Sequence, residues 1–503
     1  MIAAAAPIAR DYVVSTTYRK EEQAGLKWSR LRGERDPGGG AGGPPRPDRP
    51  EDDHQGEGAG QKAVRELRFL AAVPGPSVPN VGSIADIALG RLPAAAAPPE
   101  AVLATMLEHV ALPLRWEPLN VATEHRGIPS GGGAFGAELY LVAAGHDGLA
   151  CFRHVSQDGA LKLEGSGPAL QGILGGADLA FVIVGSLARY LNPYGEFSPC
   201  LASLECGLMQ AQLSLLCRAH AWTSETVTLH DYRAVSDALQ LGHWSRIPAV
   251  VIRVTGPGAG EAVTGFRRET LSTSEVVASE PADEYPRMRR LIDAIVNEPA
   301  PPSAGPGPLP EGASPAGLAA GSSIDLLDLI RHRSSGLSAD LNRQDGRTTM
   351  AVLSGLAAEI ALLHSLDGAT DLAGVRLSMT LVATDQAGGR PMAFDVDLRD
   401  GRLTPAAEPS TRWSQFMFTI GVDDVAEERR SGSRSFILNH IAAGALAQKI
   451  CLAATAQGLF ARPLRGYSEA SANMFLGLEF RAILQIACGV RRQANPAYDL
   501  RWW

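Results

Sequence analysis

The feature that most constrains this fold is an internal repeat, in which one order of strands and helices occurs twice. The first copy reads strand, turn, strand, turn over "AELYLVAAGHDGLACFRHVSQDGAL", and the second repeats that order over "VRLSMTLVATDQAGGRPMAFDVDLRDGRL". Each copy continues into a further strand and one long helix, "CLASLECGLMQAQLSLLCRAHAW" in the first and "SFILNHIAAGALAQKICLAATAQGLF" in the second. Both helices are apolar on nearly every side, which is typical of a helix packed all round. The repeat therefore predicts an α+β fold whose two similar domains pair as an intrachain pseudo-dimer.

Two stretches rich in proline and glycine divide the chain. Such stretches lack the apolar periodicity of a packed element, so they predict linkers. We expect the following organisation: an N-terminal leader segment (1–33), a disordered linker (34–64), a first domain (65–297), a Pro-rich linker (298–321) and a second domain (322–503). The two domains are called the first half and the second half below.

The composition excludes several classes of function. The net charge of −8 leaves no global basic face, which argues against nucleic acid as the main partner. No stretch reaches the roughly 18 uncharged apolar residues of a membrane helix, and no basic residues precede the N-terminal apolar run as in a secretory signal. The six cysteines form no CxxC and no metal-ligand spacing, which predicts reduced thiols in a cytoplasmic protein without a metal site.

The segment "LLDLIRHRSSG" places two arginines, a histidine and two serines at the end of a predicted amphipathic helix. Guanidinium groups bind phosphate as a fork, and the serines add hydroxyl and backbone donors. The candidate phosphate ligands are Arg331, His332, Arg333, Ser334 and Ser335. The alternative is that these basic residues complement the dipole of the helix C-terminus and face water.

Two further segments are candidates for ligand contact. "HRGIPSGGGAFG" contains a proline that stiffens a turn and glycines that remove side chains, so that a flat ring or a ribityl chain can approach the backbone. "ARPLRGYSEASANMFLGL" follows the second long helix, and its backbone could turn an N–H toward a ligand. The candidates here are Pro129, Ser130, Gly131, Gly132, Pro463, Leu464, Arg465 and Gly466. A plain hairpin entry and a plain helix-to-strand connection are the alternatives.

Together with "PYGEFSPCLASLECG", these segments occur in an order that resembles the nitroreductase superfamily of flavoproteins, and within it the SagB/ThcOx-type azoline dehydrogenases. The family pattern has an Arg-x-Ser motif for the FMN phosphate and a Pro-Ser-x-Gly turn before a strand. A Tyr-Gly-Glu loop precedes its central helix, and a Pro-x-x-Gly segment lies at the flavin N5 edge. The N-terminal segment resembles the short leader of SagB-type proteins. The resemblance implies FMN as cofactor and a central mixed or antiparallel sheet with helices in each half.

The motifs are distributed unequally between the halves. In the family, one FMN site takes Arg-x-Ser and the N5 segment from one subunit and Pro-Ser-x-Gly from the other. Here the first half keeps the Pro-Ser-Gly turn but reads "GRLPAAAAPP" at the Arg-x-Ser position, whereas the second half keeps "RHRSS" and "PLRGY" but reads "DGATDLAGVRLS" at the turn. The resemblance thus implies a single composite FMN site between the halves. Arg491 and Arg492 could add phosphate contacts, since family members place a basic residue near there.

The catalytic loop departs from the family pattern. Azoline oxidases of the family carry a Lys-Tyr pair ahead of Gly-Glu, whereas this chain has Pro193 at the lysine position, followed by Tyr194 and Glu196. Tyr194 is therefore the candidate general base or proton relay. A phenol needs a neighbouring cation or hydrogen bonds to act in this way near neutral pH, and Arg126 is the candidate cation.

Three functions remain open at this point. The first is oxidation of thiazoline or oxazoline rings to azoles in a ribosomally made peptide. The second is flavin chemistry on another natural-product intermediate, or on a nitro or quinone compound with NAD(P)H. The third is a non-catalytic scaffold of a heterocycle-forming complex. The implied partners are an azoline-containing precursor peptide and, by resemblance, a cyclodehydratase, and a further homo-oligomer is left open.

Overall fold

The structure is a computed structural model, and the residues it describes are 78, 80–92, 97–117, 123–145, 148–156, 159–241, 244–264, 285–298, 323–336, 350–366, 375–381, 392–406, 416–466, 473, 480–490 and 498–499. The predicted leader, the first predicted linker and residues 299–321 of the second lie outside these residues. The domain boundaries therefore stay predictions.

The first half contains seven helices among its described residues, α1 (Ile84–Ala88), α2 (Pro99–Ala111), α3 (Gln171–Leu174), α4 (Ala188–Tyr194), α5 (Ser198–Ala219), α6 (Tyr232–Ala238) and α7 (Pro286–Asn297). Its strands are β1 (Arg115–Trp116), β2 (Glu124–His125), β3 (Ala137–Gly145), β4 (Gly148–Val155), β5 (Ala160–Ser166), β6 (Leu179–Ser186), β7 (Thr223–Val227) and β8 (Arg246–Thr255). Strand β6 begins with six apolar residues and is buried at every position, as expected for a strand covered on both faces.

The second half contains helices α8 (Leu326–His332), α9 (Met350–Leu366), α10 (Asp424–Ser431) and α11 (Ser435–Ala456). Its strands are β9 (Val375–Leu381), β10 (Met392–Val396), β11 (Leu403–Pro405), β12 (Phe416–Val422), β13 (Phe460–Leu464), β14 (Arg481–Gly489) and β15 (Tyr498–Asp499). Helix α10 begins where Asp423 accepts a hydrogen bond from Ala426 N at 3.1 Å, as an N-cap does.

The two halves build equivalent sheets. The first half has the strand order β5-β4-β3-β6-β8-β7, and the second half has β11-β10-β9-β12-β14-β13. Position by position along each half, these orders are the same, so the predicted repeat and the α+β class are confirmed. Every strand pair among the described residues is antiparallel, which decides between the mixed and the antiparallel sheet.

The central helices α5 and α11 pack against each other at two reciprocal glycines. A Cβ at Gly207 of α5 would lie 1.9 Å from the Ile441 carbonyl oxygen, and one at Gly444 of α11 would lie 2.0 Å from the Leu204 carbonyl oxygen. Both helices are long and apolar enough to cross a membrane by composition, but all of each apolar stretch is buried within the protein. One hydrophobic core runs through both halves, and these helices are its centre, as the sequence predicts.

The halves are also joined at their edges. Strand β15 of the second half pairs with β1 of the first, which forms a three-stranded sheet of order β15-β1-β2. Helix α7 runs between two glycine turns, one in each half: Tyr285 before it lies 3.6 Å from the position of a Cβ at Gly195, and Glu298 after it lies 1.9 Å from a Cβ at Gly432. The pseudo-dimer is therefore held by the core, by a sheet and by a bridging helix.

Candidate functional site

The segment "RHRSS" ends helix α8, which is fixed to the first half at its start. Asp325 caps the helix by accepting from Leu327 N at 2.9 Å, and its other oxygen accepts from Gly82 N at 2.8 Å. Arg331, one turn further, has Nη1 at 3.3 Å from Asp328 Oδ1. Its buried Nε has no hydrogen-bond partner among the described residues. A buried guanidinium nitrogen left without an acceptor is costly, so Arg331 is open to an anionic ligand.

Arg333 connects the two halves directly. It is 2% exposed, and its Nε and Nη2 donate to the carbonyl oxygens of Gly127 at 3.1 Å and Arg126 at 3.3 Å. Its Nη1 lies 3.3 Å from Ser335 Oγ. In return, Arg115 Nη2 donates to the Arg333 carbonyl oxygen at 2.6 Å. The "RHRSS" and "HRGIPS" segments are therefore in contact, and Arg333 has a structural role whether or not it also binds phosphate, which stays a prediction.

The other members of the segment make local contacts. His332 is exposed, and its Nδ1 lies 2.7 Å from the Asp328 carbonyl oxygen on its own helix. Ser334 is buried, its Oγ accepts from Gly336 N at 3.0 Å, and its carbonyl oxygen accepts from Ala461 N at 2.9 Å. The end of α8 is thereby joined to the start of β13.

The glycine-rich turn lies before strand β3. Pro129 is buried, Gly131 is half-buried and Gly132 is exposed. Gly132 has φ 63° and ψ 13°, the left-handed conformation that glycine adopts without strain. A Cβ at Gly132 would lie 2.7 Å from Tyr194 Oη. The structure therefore places the hydroxyl group of the candidate proton relay directly over the turn.

The "YGEF" segment links α4 to the central helix α5. Tyr194 ends α4, and Gly195 turns the chain with φ 53° and ψ −129°. The following Glu196 is half-buried in a single 3₁₀ turn. The ring of Phe197 faces the second half, where the guanidinium carbon of Arg465 lies 5.1 Å from its centroid. This cation–π contact joins the loop to the "PLRGY" segment.

The "PLRGY" segment begins within strand β13, and Arg462, directly before it, contacts the end of α8. Arg462 Nε donates to the Ser335 carbonyl oxygen at 2.8 Å, and its Nη2 donates to the Gly336 carbonyl oxygen. The segment itself comprises half-buried Pro463 and Leu464, buried Arg465 and exposed Gly466.

The four segments form a closed ring of contacts. "RHRSS" contacts "HRGIPSGGG" through Arg333, and the glycine turn contacts "PYGEF" through Tyr194. "PYGEF" contacts "PLRGY" through Arg465, and Arg462, the residue directly before "PLRGY", returns to "RHRSS" at the Ser335 carbonyl oxygen. Two of these segments come from each half, so the ring lies at the junction of the halves.

Arg126 is held away from the role predicted for it. Its guanidinium group contacts Glu124 Oε1 at 2.7 Å and Ser156 Oγ at 3.3 Å. It also lies over the ring of Phe135, 4.0 Å from the centroid. None of its contacts among the described residues is with Tyr194, so the structure does not bring these two side chains together.

Other predicted positions cannot be placed. Arg491 and Arg492 lie outside the described residues, as does the side chain of Pro193. Conversely, the structure reveals contributors that the sequence analysis missed, namely Arg115, Arg462 and Glu205. Only Glu205 carried a signal, since it is the one acidic residue of the central helix α5.

A buried ionic cluster in the first half holds the arginine that contacts "RHRSS". Glu117 lies 2.7 Å from Arg115 Nε and 3.1 Å from His125 Nε2. Burial would raise the pKa of Glu117, but the hydrogen bonds from His125 and Arg115 outweigh burial and hold the pKa well below its usual range. Burial lowers the pKa of His125 more than Glu117 raises it. The cluster orients Arg115 toward the "RHRSS" carbonyl groups.

The equivalent turn of the second half is occupied differently. Gly432 lies three residues before α11, as Gly195 lies three before α5, and it adopts a similar φ of 59°. The Glu298 carboxyl group packs onto it, with Oε1 1.9 Å from the position of a Cβ. Burial raises the pKa of Glu298 above its ordinary value. A protein side chain thus covers this second turn.

Arg434 is the second side chain that occupies the region of the Gly432 turn. It stands two residues after Gly432, where the first half has Phe197, and it is 1% exposed. Its guanidinium group donates to the carbonyl oxygens of His230 at 3.0 Å and Glu298. The half-buried aromatic position of the first half is therefore a buried, hydrogen-bonded arginine in the second.

Comparison of the sequence with protein-family models and with curated proteins finds no match. Among solved structures, the chain is similar to a candidate nitroreductase from Anabaena variabilis ATCC 29413, with a TM-score of 0.58 and 14% identity over 84% of this chain and 95% of that one. The fold is therefore the nitroreductase fold.

Two weaker similarities carry no argument. A candidate nitroreductase from Ralstonia eutropha JMP134 gives a TM-score of 0.29 at 17% identity, over 37% of this chain and 87% of that one. The E. coli microcin synthetase McbBCD complex with truncated pro-MccB17 gives 0.25 at 16% identity, over 30% of this chain and 62% of that one.

Proposed function

We propose that this protein is an FMN-dependent dehydrogenase that oxidises azoline rings in a ribosomally made peptide to azoles. The observation that carries the proposal is the closed ring of the four predicted segments, two from each half. The nitroreductase fold makes a flavin oxidoreductase the reaction class to expect. The azoline substrate rests on the resemblance of the segments and their order.

The residues present fit FMN. Arg331 offers a buried Nε that lacks an acceptor, which suits a phosphate oxygen at the end of α8. Gly131 and Gly132 present backbone without side chains, which suits a flat ring or its ribityl chain. Arg465, which lies over Phe197 of the first half, and the "PLRGY" backbone would hold the edge of the isoalloxazine system. When bound, FMN supplies the acceptor for the hydride that leaves the azoline ring.

The proton must then leave the azoline Cα toward a protein group. Tyr194 Oη is the hydroxyl group at the glycine turn, within 2.7 Å of the Gly132 Cβ position. Its place over the turn allows it to receive that proton, or to orient a water molecule that does. Glu196, in the next turn, is near enough in sequence to relay the proton onward. Arg126 contributes by packing on Phe135 of the glycine-rich segment, where Glu124 holds its guanidinium group.

We further infer one FMN per chain. The second, pseudo-symmetric FMN position is filled by protein side chains: Glu298 packs onto Gly432, and Arg434 is buried beside it. These contacts support a single FMN site. A cytoplasmic location and a cyclodehydratase partner that supplies the azoline peptide belong to the same proposal.

The test begins with the purified full chain. We expect a yellow protein that releases FMN on denaturation, and a loss of two hydrogen atoms per ring when it is incubated with a thiazoline or oxazoline peptide under air, measured by mass spectrometry. The matching peptide that already contains azoles is the control and should not change. Bound FMN with reduction of nitro or quinone compounds by NAD(P)H, and no azoline oxidation, would favour the alternative substrate class. Absence of flavin binding would overturn the proposal.

A further inference from the structure

Beneath the glycine turn lies a buried acidic side chain that none of the predicted motifs includes. Glu205 is on the central helix α5 and is 2% exposed. Its Oε2 accepts from Ser130 Oγ at 2.5 Å and from the Tyr190 hydroxyl group, and its Oε1 accepts from Ala137 N at 3.0 Å. All three partners donate to it, which is the pattern of an acceptor-only carboxylate.

Through these contacts Glu205 is hydrogen-bonded to both ends of the glycine-rich turn. Ser130 is the residue before the three glycines, and Ala137 is the first residue of strand β3. Ser130 Oγ also accepts from Phe135 N at 2.8 Å, so its hydroxyl group is fully used within the protein. Consequently the serine of the Pro-Ser-Gly turn anchors the loop, and the loop offers its backbone to a ligand.

The loop between these ends is strained. Phe135 has φ 47°, a left-handed conformation that costs an aromatic residue free energy and persists only when its surroundings enforce it. The hydrogen bond from Phe135 N to Ser130 Oγ, held in turn by Glu205, is the backbone contact that supports it, beside the Arg126 guanidinium group over the Phe135 ring. The helix thus imposes the conformation of the turn.

The internal repeat provides a second, independent observation. Glu205 is the eighth residue of α5, and the eighth residue of α11 is Ala442. The two helices have the same length of 22 residues and the same place in their sheets, so the positions correspond. A carboxyl group is present only in the half that keeps the Pro-Ser-Gly turn.

We propose that Glu205 is a positioning residue, which clips the two ends of the 131–136 loop together and presets it for the flavin. This inference rests on the proposed function for its ligand, but the clip itself belongs to the flavin-free protein. Tyr190 contributes differently: burial, and then the nearby Glu205, raise its pKa well above the ordinary value, so it stays a donor that fills the remaining acceptor position.

The experiment is hydrogen exchange of the Phe135 and Ala137 amides in the flavin-free protein. In Glu205→Gln, the single amide oxygen cannot accept from the hydroxyl groups and from Ala137 N at once, and the NH2 group faces one of these donors with another donor. We therefore expect exchange at these amides to rise about tenfold or more. Tyr190→Phe is the matched control, because it removes a hydrogen bond to the same oxygen and a 3.4 Å contact with Ser130 Oγ, but keeps the bonds from Ser130 and Ala137 to Glu205. It should change these rates by less than about threefold while lowering the melting temperature comparably.

FMN affinity, followed by quenching of flavin fluorescence, is the second readout. Glu205→Gln should weaken FMN binding about tenfold, and the double variant Ser130→Ala/Glu205→Gln should lose less than the sum of the two single losses, since the two side chains share one contact. If Glu205→Gln does not fold, Ser130→Ala tests the same contact from the loop side. Unchanged exchange in the loop variants, or equal acceleration in Tyr190→Phe, would overturn the proposal. Failure of the wild type to bind FMN would instead overturn the proposed function and leave the exchange result standing.

Discussion

At the scale of one residue, the proposed function assigns the proton transfer to Tyr194, whose hydroxyl group lies over the glycine turn. Tyr194→Phe keeps the ring and its packing and removes that group. FMN content should therefore be unchanged, while azoline oxidation measured by mass spectrometry should fall by about 10²–10⁴ if the hydroxyl group moves the proton. A fully active Phe variant would show that Tyr194 only packs.

Gly132 allows Tyr194 to be moved without being mutated. Gly132→Ala places a Cβ 2.7 Å from Tyr194 Oη and forces an alanine into a φ of 63°, so the hydroxyl group must shift and the oxidation rate should fall. Gly90→Ala is the control, since Gly90 has a similar φ of 68° but no atom within 4 Å of its Cβ position. The control should have wild-type activity with a stability cost of roughly 1 kcal/mol, measured by thermal unfolding. Equal loss of activity in both variants would indicate backbone strain alone.

Substitutions of the two arginines of "RHRSS" should differ in their effects on FMN affinity and on stability. Arg331→Ala removes a charge-assisted contact worth roughly 1.5–3 kcal/mol, so FMN should bind about 10- to 150-fold more weakly with little change in stability. Arg333→Ala removes the guanidinium donors of the Gly127 and Arg126 carbonyl groups, leaving Gly127 with Gln448 as donor, and should lower the melting temperature as well. Exposed Arg429→Ala is the control for charge alone. Unchanged FMN affinity in Arg331→Ala would refute its assignment.

At the scale of elements, the sequence was informative where one periodicity dominates. The all-round apolar pattern predicts α5 and α11 correctly, and the repeat predicts equivalent sheets. The three short strands β1, β2 and β15 escaped prediction because two-residue strands have no periodicity, and β15 forms by pairing with β1 across the halves. The partners of Arg126 escaped for the same reason, since long-range contacts of a side chain leave no local pattern.

The contact between the central helices supplies a prediction at this scale. Gly207→Ala would drive a Cβ to 1.9 Å from a backbone carbonyl oxygen, so α5 and α11 must separate. We expect a fall in melting temperature of many degrees or loss of soluble protein, because overpacking a closed core is not relieved by rotamer changes. Gly172→Ala in α3 is the control, with open space around its Cβ position. A Gly207→Ala protein as stable as wild type would contradict the observed packing.

At the scale of the whole molecule, the halves should differ in what they contribute to flavin binding. Arg465 directly follows strand β13, and Thr228 directly follows the equivalent strand β7. Arg465→Ala should lower the FMN content, whereas Thr228→Ala should leave it at one flavin per chain, quantified after denaturing release. About two flavins per wild-type chain would refute the composite site.

The cross-pairing of β15 with β1 has a consequence for how such a site behaves in solution. A site shared by two separate subunits falls apart below their dissociation constant, and its activity then depends on the square of the protein concentration. Here both contributors are tethered and hydrogen-bonded within one chain, so their effective concentration does not fall on dilution. The specific activity of this protein should therefore stay constant at dilutions that would dismantle a subunit-bridging site.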